Sequence, residues 1–288
     1  MTERGYSYWP GGPASKEGFW GPTTSTLDWC EENYVITHYI AEFWNTFSNL
    51  FFIAFALYGI ETLKAIGAAE VRHFMAFGSL IIVAIGSMCF HGTMWYNAQM
   101  ADELPMIYNG CIICFCLLQT FPEAKSKRFI LGLLFTCYSA AVTGIYLTYK
   151  NPQFLALAHG VLTFSMVLFT PFQISRLQKR SPQFASNIVG LWDLYKYAVS
   201  SYLAGIGSWT IDNQFCDLLR DMRAKLGTPL GFLFELHVFW HLATAMGGYA
   251  CILVMVYMRL LALGRKDMCL EWMHGVFPVL VLSSPKTQ

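Results

Sequence analysis

Three histidines lie in otherwise apolar stretches of the sequence. His237 and His241 are four residues apart in FELHVFWHLATAMGG (234–248), and His91 lies in GSMCFHGT (86–93). Residues i and i+4 share one face of a helix, so His237 and His241 point the same way. Three protein ligands with water in the fourth position form a common catalytic zinc site. We therefore predict a Zn²⁺ site made by His91, His237 and His241.

Two further polar residues accompany these histidines. Ser87 lies one helical turn before His91, and Asp102 follows after a short turn. Zinc lowers the pKa of bound water to about 7, and a nearby carboxylate can take its proton. A hydroxyl beside the metal can donate a hydrogen bond to a developing oxyanion. Asp102 and Ser87 therefore predict hydrolysis of an acyl bond, whereas the isolated His159 is assigned a packing role.

The composition identifies the elements that must position these residues. Of 288 residues, 55% are hydrophobic and only 13% are charged, whereas soluble domains carry roughly a quarter charged residues. Stretches of about 20 mostly apolar residues can cross a bilayer. Seven such stretches occur, at 41–63, 73–95, 104–121, 129–149, 154–175, 191–211 and 233–262. We predict an all-α membrane protein, a seven-transmembrane-helix bundle.

The distribution of Lys and Arg predicts the orientation of this bundle. Twelve of them lie at the ends of odd-numbered spans or in the segments that follow, against six on the other side. Basic residues favour the cytosol, so the N-terminus is predicted to be lumenal and the C-terminus cytosolic. The end of the second span and the starts of the third and seventh then lie at one depth, which brings the histidines and Asp102 together.

Three regions follow from this topology. Residues 1–38 are predicted to form a lumenal N-terminal segment, 39–263 the catalytic bundle and 264–288 a cytosolic tail. No basic patch with interleaved aromatic residues occurs, so nucleic acid is not an expected partner. Nothing in the sequence indicates an obligate protein partner.

An acidic stretch precedes the first span. Asp28, Glu31, Glu32 and Asn33 crowd a short loop, and Glu42 lies in the first turns of the span. Ca²⁺ takes six to eight oxygen ligands, and a carboxylate within a span needs a compensating cation. The spacing is not that of an EF-hand. The loop is therefore either a calcium site or simply a solvated acidic segment.

Two of the nine cysteines are set apart from the others by their position. Cys30 and Cys216 both fall in polar segments on the predicted lumenal side. Disulfides persist in such oxidising compartments. A Cys30–Cys216 bridge is therefore a candidate, although two free thiols fit the sequence as well.

The stretches that contain these residues resemble the alkaline ceramidase family over nearly the whole chain. The matching segments are GFWGPTTSTLDWCEENYVITHYIAEFWNTFSN (18–49), GSMCFHGT (86–93), ADELPMIY (101–108), WTIDNQFC (209–216) and HVFWHL (237–242). The resemblance implies a seven-helix zinc amidase of the endoplasmic reticulum and Golgi. Its substrate would be ceramide, cleaved to sphingosine and a fatty acid.

The resemblance also assigns roles to individual residues. It implies zinc ligation by His91, His237 and His241, with Ser87 and Asp102 beside the zinc-bound water. It implies a Ca²⁺ site and the Cys30–Cys216 bridge, and the calcium ligands would be Asp28, the Trp29 backbone carbonyl, Glu31, Asn33 and Glu42.

Receptors and haem proteins are the alternative classes. Seven spans suit a G-protein-coupled receptor, but no D-R-Y follows the third span and no N-P-x-x-Y lies in the seventh. A receptor of the adiponectin-receptor type with residual ceramidase activity shares the three-histidine zinc arrangement, although its orientation is opposite to the charge bias. Bis-histidine haem ligation is disfavoured because ligands at i and i+4 cannot oppose each other across a porphyrin.

Overall fold

Helices make up most of the computed structural model, which describes residues 18–68, 70–227 and 229–283. The α-helices of these ranges are Phe43–Ser48 (α1), Leu50–Ala65 (α2), Val71–Thr93 (α3), Tyr96–Leu118 (α4), Arg128–Tyr149 (α5), Pro152–Arg180 (α6), Ala185–Gln214 (α7), Cys216–Leu226 (α8) and Leu236–Ala262 (α9). Short 3-10 helices occur at Pro122–Lys127, Pro182–Phe184 and Leu230–Phe234.

Six helical stretches of the described chain are long and apolar enough to cross a bilayer. They are Phe43–Ala65, Val71–Thr93, Tyr96–Leu118, Pro122–Tyr149, Pro152–Arg180 and Leu236–Ala262. The chain is thus a mostly helical, multi-pass membrane protein. The helix α7 is 30 residues long but is not one of the six, because tyrosines, serines and three charged residues interrupt its apolar sequence.

A tight turn joins α3 to α4. Met94 adopts a left-handed conformation with φ of 54°, and its N–H donates to the carbonyl oxygen of Phe90. A Cβ at Gly86 would overlap the carbonyl oxygen of Ala101, so this glycine permits close packing of the two helices. Because of this turn, α4 begins at Tyr96, eight residues before the predicted start at 104.

The last long helix, α9, forms the centre of the bundle. In the most apolar part of α9, 78% of the residues are buried. In the corresponding part of the stretch that contains α5, only 11% are buried. The helix packs against α7, α2 and α3. Exposed apolar side chains on α5 and α6 therefore face outward, as expected for helices in contact with lipid.

The segment before α1 folds over the ends of α3 and α4. The backbone N–H groups of Thr24 and Ser25 both donate to the carbonyl oxygen of Met94 at 3.1 Å. The N–H of Glu42 donates to the carbonyl oxygen of His91 at 2.9 Å. These bonds place the acidic stretch directly beside the end of α3.

The predicted tail contains two strands that an all-α fold does not include. Met268–Met273 (β1) pairs antiparallel with Phe277–Leu282 (β2). The hydroxyl of Tyr249 in α9 donates to the carbonyl oxygen of Pro278 at 3.0 Å, and the Tyr249 ring stacks on Phe277. The hairpin is therefore packed against the bundle. Residues 1–17 of the predicted N-terminal segment and 284–288 of the predicted tail lie outside the described residues.

Candidate active site

Three buried imidazoles meet where the end of α3 faces the start of α9. His91 lies in the last turn of α3, and His237 and His241 lie in the first two turns of α9. One ring nitrogen of each lies within 4.8 Å of those of the other two. In the described ranges no other three His, Cys, Asp or Glu side chains meet so closely. The structure thus brings the predicted zinc ligands together.

Side chains at the start of the first span fix two of these rings. Glu42 Oε2 lies 2.5 Å from His91 Nδ1, and Ser48 Oγ lies 2.7 Å from His241 Nδ1. The Ser48 hydroxyl donates its proton to the carbonyl oxygen of Asn45 at 2.9 Å, so it accepts from the His241 N–H. A carboxylate likewise accepts from His91. Both rings then present an unprotonated Nε2, the form that binds metal.

The third ring, His237, is held by packing. Its centroid lies 4.3 Å from that of the Trp29 ring. Its buried Nδ1 has no hydrogen-bond partner among the described residues. Three clustered imidazoles, with unprotonated nitrogens and one ring nitrogen unpaired, form a donor set that suits Zn²⁺.

Ser87 and Asp102 line the same cavity as the three histidines. Its volume is about 320 Å³. The Ser87 hydroxyl forms a side-chain hydrogen bond with the Asp102 carboxylate. Apolar and aromatic side chains, including Phe52 and Trp240, form much of the remaining wall. A carboxylate oriented in this way beside metal ligands is placed to accept and return a proton.

The predicted calcium ligands include an acidic cluster, Asp28, Glu31 and Glu42, whose charges interact. Glu42 is 0% exposed, and its Oε1 accepts from the backbone N–H of Trp29 at 3.3 Å. The Glu31 carboxylate accepts from two backbone N–H groups of α1, including that of Trp44 at 2.7 Å. Glu42 is therefore a member of the acidic cluster that also contacts the zinc-ligand candidate His91.

Electrostatics in the acidic cluster favour a cation. Burial raises the pKa of the Asp28 carboxyl. Burial, reinforced by the negative charge of Glu42, raises the pKa of Glu31 to about 8. Asn33 donates its Nδ2 to Asp28 Oδ1 at 3.3 Å, while its buried Oδ1 has no hydrogen-bond partner in the described chain. Crowded carboxylates and an unpaired amide oxygen are the kind of ligands that Ca²⁺ takes.

A disulfide joins Cys30 of the acidic stretch to Cys216 at the start of α8. Arg223 of α8 reinforces this link. Its Nη2 donates to the carbonyl oxygen of Cys30 at 2.7 Å and pairs with Glu32 at 2.8 Å, and its Nη1 lies 3.2 Å from Glu235. The acidic stretch is thereby tied to the residue that precedes α9.

Some residues of the cavity wall were not singled out from the sequence as part of the site. Glu103 lines the cavity, and so does His159, for which a packing role stays the prediction. The contact of Ser48 with His241 was also missed. The four polar residues of FWNTFSN (43–49), inside an apolar span, are the signal that could have indicated this contact, because polar groups in a span usually have a partner.

Comparison with known proteins identifies the family. A sequence model of the family described as Ceramidase matches residues 21–281. The chain is 38% identical to mouse alkaline ceramidase 3, over 92% of this chain and 95% of that protein. It is 32% identical to an alkaline ceramidase of Saccharomyces cerevisiae, over 95% and 89% of the two chains. It is 29% identical to the alkaline ceramidase of Arabidopsis thaliana, over 94% and 97%. The chain therefore belongs to the ceramidase family of hydrolases.

Proposed function

We propose that this enzyme is a zinc-dependent intramembrane amidase that hydrolyses ceramide to sphingosine and a free fatty acid. The observation that carries the proposal is the convergence of His91, His237 and His241 beside Asp102 in one cavity. The names of its relatives support the substrate class. The cavity lies among the helices of a membrane protein, and we propose that a lipid amide enters it laterally.

The residues of the cavity can then be given roles in the reaction. When bound by the three imidazoles, zinc supplies a Lewis acid that polarises an amide carbonyl and makes water more acidic. Asp102 accepts a proton from the attacking water and delivers it to the leaving amine nitrogen. In the free protein the Ser87 hydroxyl donates its one proton to the Asp102 carboxylate and so orients that group. Once Asp102 has taken up the proton of the water, the Ser87 proton becomes available to the developing oxyanion of the substrate. The net change is cleavage of the C–N bond and addition of water.

We further propose a Ca²⁺ site made by Asp28, the Trp29 carbonyl, Glu31, Asn33 and Glu42. The crowded carboxylates and the unpaired Asn33 oxygen support it. Glu42, one of these proposed ligands, accepts from the backbone N–H of Trp29 and also contacts His91. Calcium at this position would fix the Glu42 carboxylate and, through it, the orientation of one zinc ligand.

The proposed topology has seven crossings, with α7 as the sixth, a lumenal N-terminus and a cytosolic C-terminus. Basic residues concentrated on one side support the orientation. The compartment that we propose, the endoplasmic reticulum or Golgi membrane, rests on the family resemblance.

Metal content and activity of the purified protein test the proposed function. We expect one zinc per chain and release of fatty acid from labelled ceramide. His237→Ala should lose both, because it removes one of three ligands. His38→Ala, an exposed histidine of the N-terminal segment, is the matched control and should keep both. Full ceramide hydrolysis by His237→Ala without zinc would contradict the proposal.

A further inference from the structure

A second carboxylate, Glu103, lines the cavity beside Asp102. Its Oε2 accepts from the Tyr146 hydroxyl at 2.5 Å and from Gln99 Nε2 at 3.1 Å. The mechanism above uses Asp102 as its only base, so it gives Glu103 no role.

The groups that hold Glu103 are themselves fixed. Gln99 and Tyr146 are both 0% exposed. Gln99 Oε1 accepts from the backbone N–H of Thr26 at 2.8 Å, and Gln99 Nε2 donates to the Thr26 hydroxyl at 2.8 Å. The network joins α4 and α5 to the N-terminal segment. Glu103 is therefore held in one orientation, as a group that recognises a ligand must be.

One oxygen of this carboxylate is left for a ligand. Among the described residues no Lys, Arg or His forms an ion pair with Glu103, and no hydrogen bond is made to its Oε1. A carboxylate within a membrane span is costly unless it has a partner. Tyr146 and Gln99 both donate to Oε2, which favours the ionised form of the carboxylate. An ionised carboxylate accepts hydrogen bonds and donates none, so a donor is the partner that fits Oε1.

We propose that Glu103 is a specificity-determining residue that accepts a hydrogen bond from a hydroxyl next to the amide of the substrate. This inference rests on the proposed function. In ceramide the carbon that bears the amide nitrogen lies between two hydroxyl-bearing carbons. Because Asp102 and Glu103 line one cavity, an amide placed beside Asp102 would bring these hydroxyls toward Glu103. The carboxylate also fixes the direction of the lipid, since the unsubstituted fatty acyl chain has no such donor.

The test compares three substrates: ceramide, an analogue lacking the primary hydroxyl and an analogue lacking the secondary hydroxyl. A hydrogen bond to a charged acceptor predicts that the wild type loses about 10- to 100-fold in kcat/KM with the analogue that lacks the bound hydroxyl. In Glu103→Gln this preference should fall to about threefold or less, with zinc content unchanged. The other hydroxyl should matter little in either protein.

Control variants separate recognition from folding. Glu123→Gln makes the same chemical change at an exposed position and should keep the wild-type preference. Glu103→Asp retains the carboxylate and should restore part of the preference lost in Glu103→Gln. Thermal unfolding of each variant reports its stability.

Two results would overturn the role of Glu103. One is a wild type that cleaves both analogues as well as ceramide, which needs no variant to fold. The other is a folded Glu103→Gln that slows all three substrates by one common factor. Failure of the zinc-loaded wild type to cleave ceramide at all would instead count against the proposed function.

Discussion

Hydrogen bonds with neighbouring side chains orient two of the three proposed zinc ligands, His91 and His241. His241 is fixed by Ser48, whose only proton is donated to the carbonyl oxygen of Asn45. Partners that orient metal-binding histidines typically contribute 10- to 100-fold to metal affinity. We expect Ser48→Ala to weaken zinc binding by about that factor, measured as zinc retained against increasing chelator.

A control for this prediction is Ser165→Ala in α6. Ser165 is a partly exposed serine that donates to the carbonyl oxygen of Val161, away from the histidines. Its replacement should leave zinc retention at the wild-type value. Equal retention by Ser48→Ala and the wild type would mean that the Ser48 hydroxyl does not orient His241.

At this scale the sequence predicts residue types better than it predicts contacts. His91, His237 and His241 could be found because imidazoles in apolar spans at i and i+4 spacing are uncommon. The contact of Glu42 with His91 could not, because it depends on how the N-terminal segment folds over the end of α3. Glu103 was missed although its neighbour Asp102 was not, because its contacts with Tyr146 and Gln99 become visible only in the folded chain.

At the scale of the elements, the proposed calcium site links the N-terminal segment to α1. Calcium bound by both Asp28 and Glu42 would join the acidic loop to the residue that immediately precedes α1. We expect added calcium to raise the unfolding temperature of the chelator-treated wild type by several degrees, and that of Asp28→Asn by much less, because a ligand stabilises the state that binds it. Differential scanning fluorimetry in detergent measures both.

Asp221→Asn is a suitable control because Asp221 is an exposed carboxylate of α8, outside the acidic cluster. It should keep the full calcium response. If Asp28→Asn responded as strongly as the wild type, the proposed ligand set would be wrong.

Element boundaries explain where the sequence was least informative. The first two turns of α4, YNAQMADE (96–103), read as polar and were excluded from the predicted span. They are helical because Gln99, Asp102 and Glu103 face the cavity or the N-terminal segment rather than lipid. The hairpin of β1 and β2 lay in a region for which no element was predicted, and tertiary contacts such as that of Tyr249 with Phe277 hold it.

For the molecule as a whole, the histidine cluster constrains the number of crossings. His91 lies in the last turn of α3 and His237 in the first turn of α9. Between them lie α4, α5, α6, α7 and α8, and α8 has only 11 residues, too few to cross a bilayer. An even number of crossings returns the chain to the same side of a membrane, whereas an odd number does not. Because the imidazoles meet, we predict that α7 crosses as α4, α5 and α6 do. Exposed apolar side chains along α7, from Val189 to Ile211, fit contact with lipid.

This parity predicts the sidedness of the two segments that flank α7. An epitope inserted after Ser181 should be digested by protease added to sealed microsomes, because that segment is predicted to be cytosolic. An epitope inserted after Gly227 should be protected until detergent is added. An epitope in the basic segment at Lys125 serves as the cytosolic control. If protease digested both the Ser181 and the Gly227 epitopes before detergent was added, or neither of them, the two segments would lie on the same side of the membrane. In that case α7 would not cross, and the seven-span topology would have to be abandoned.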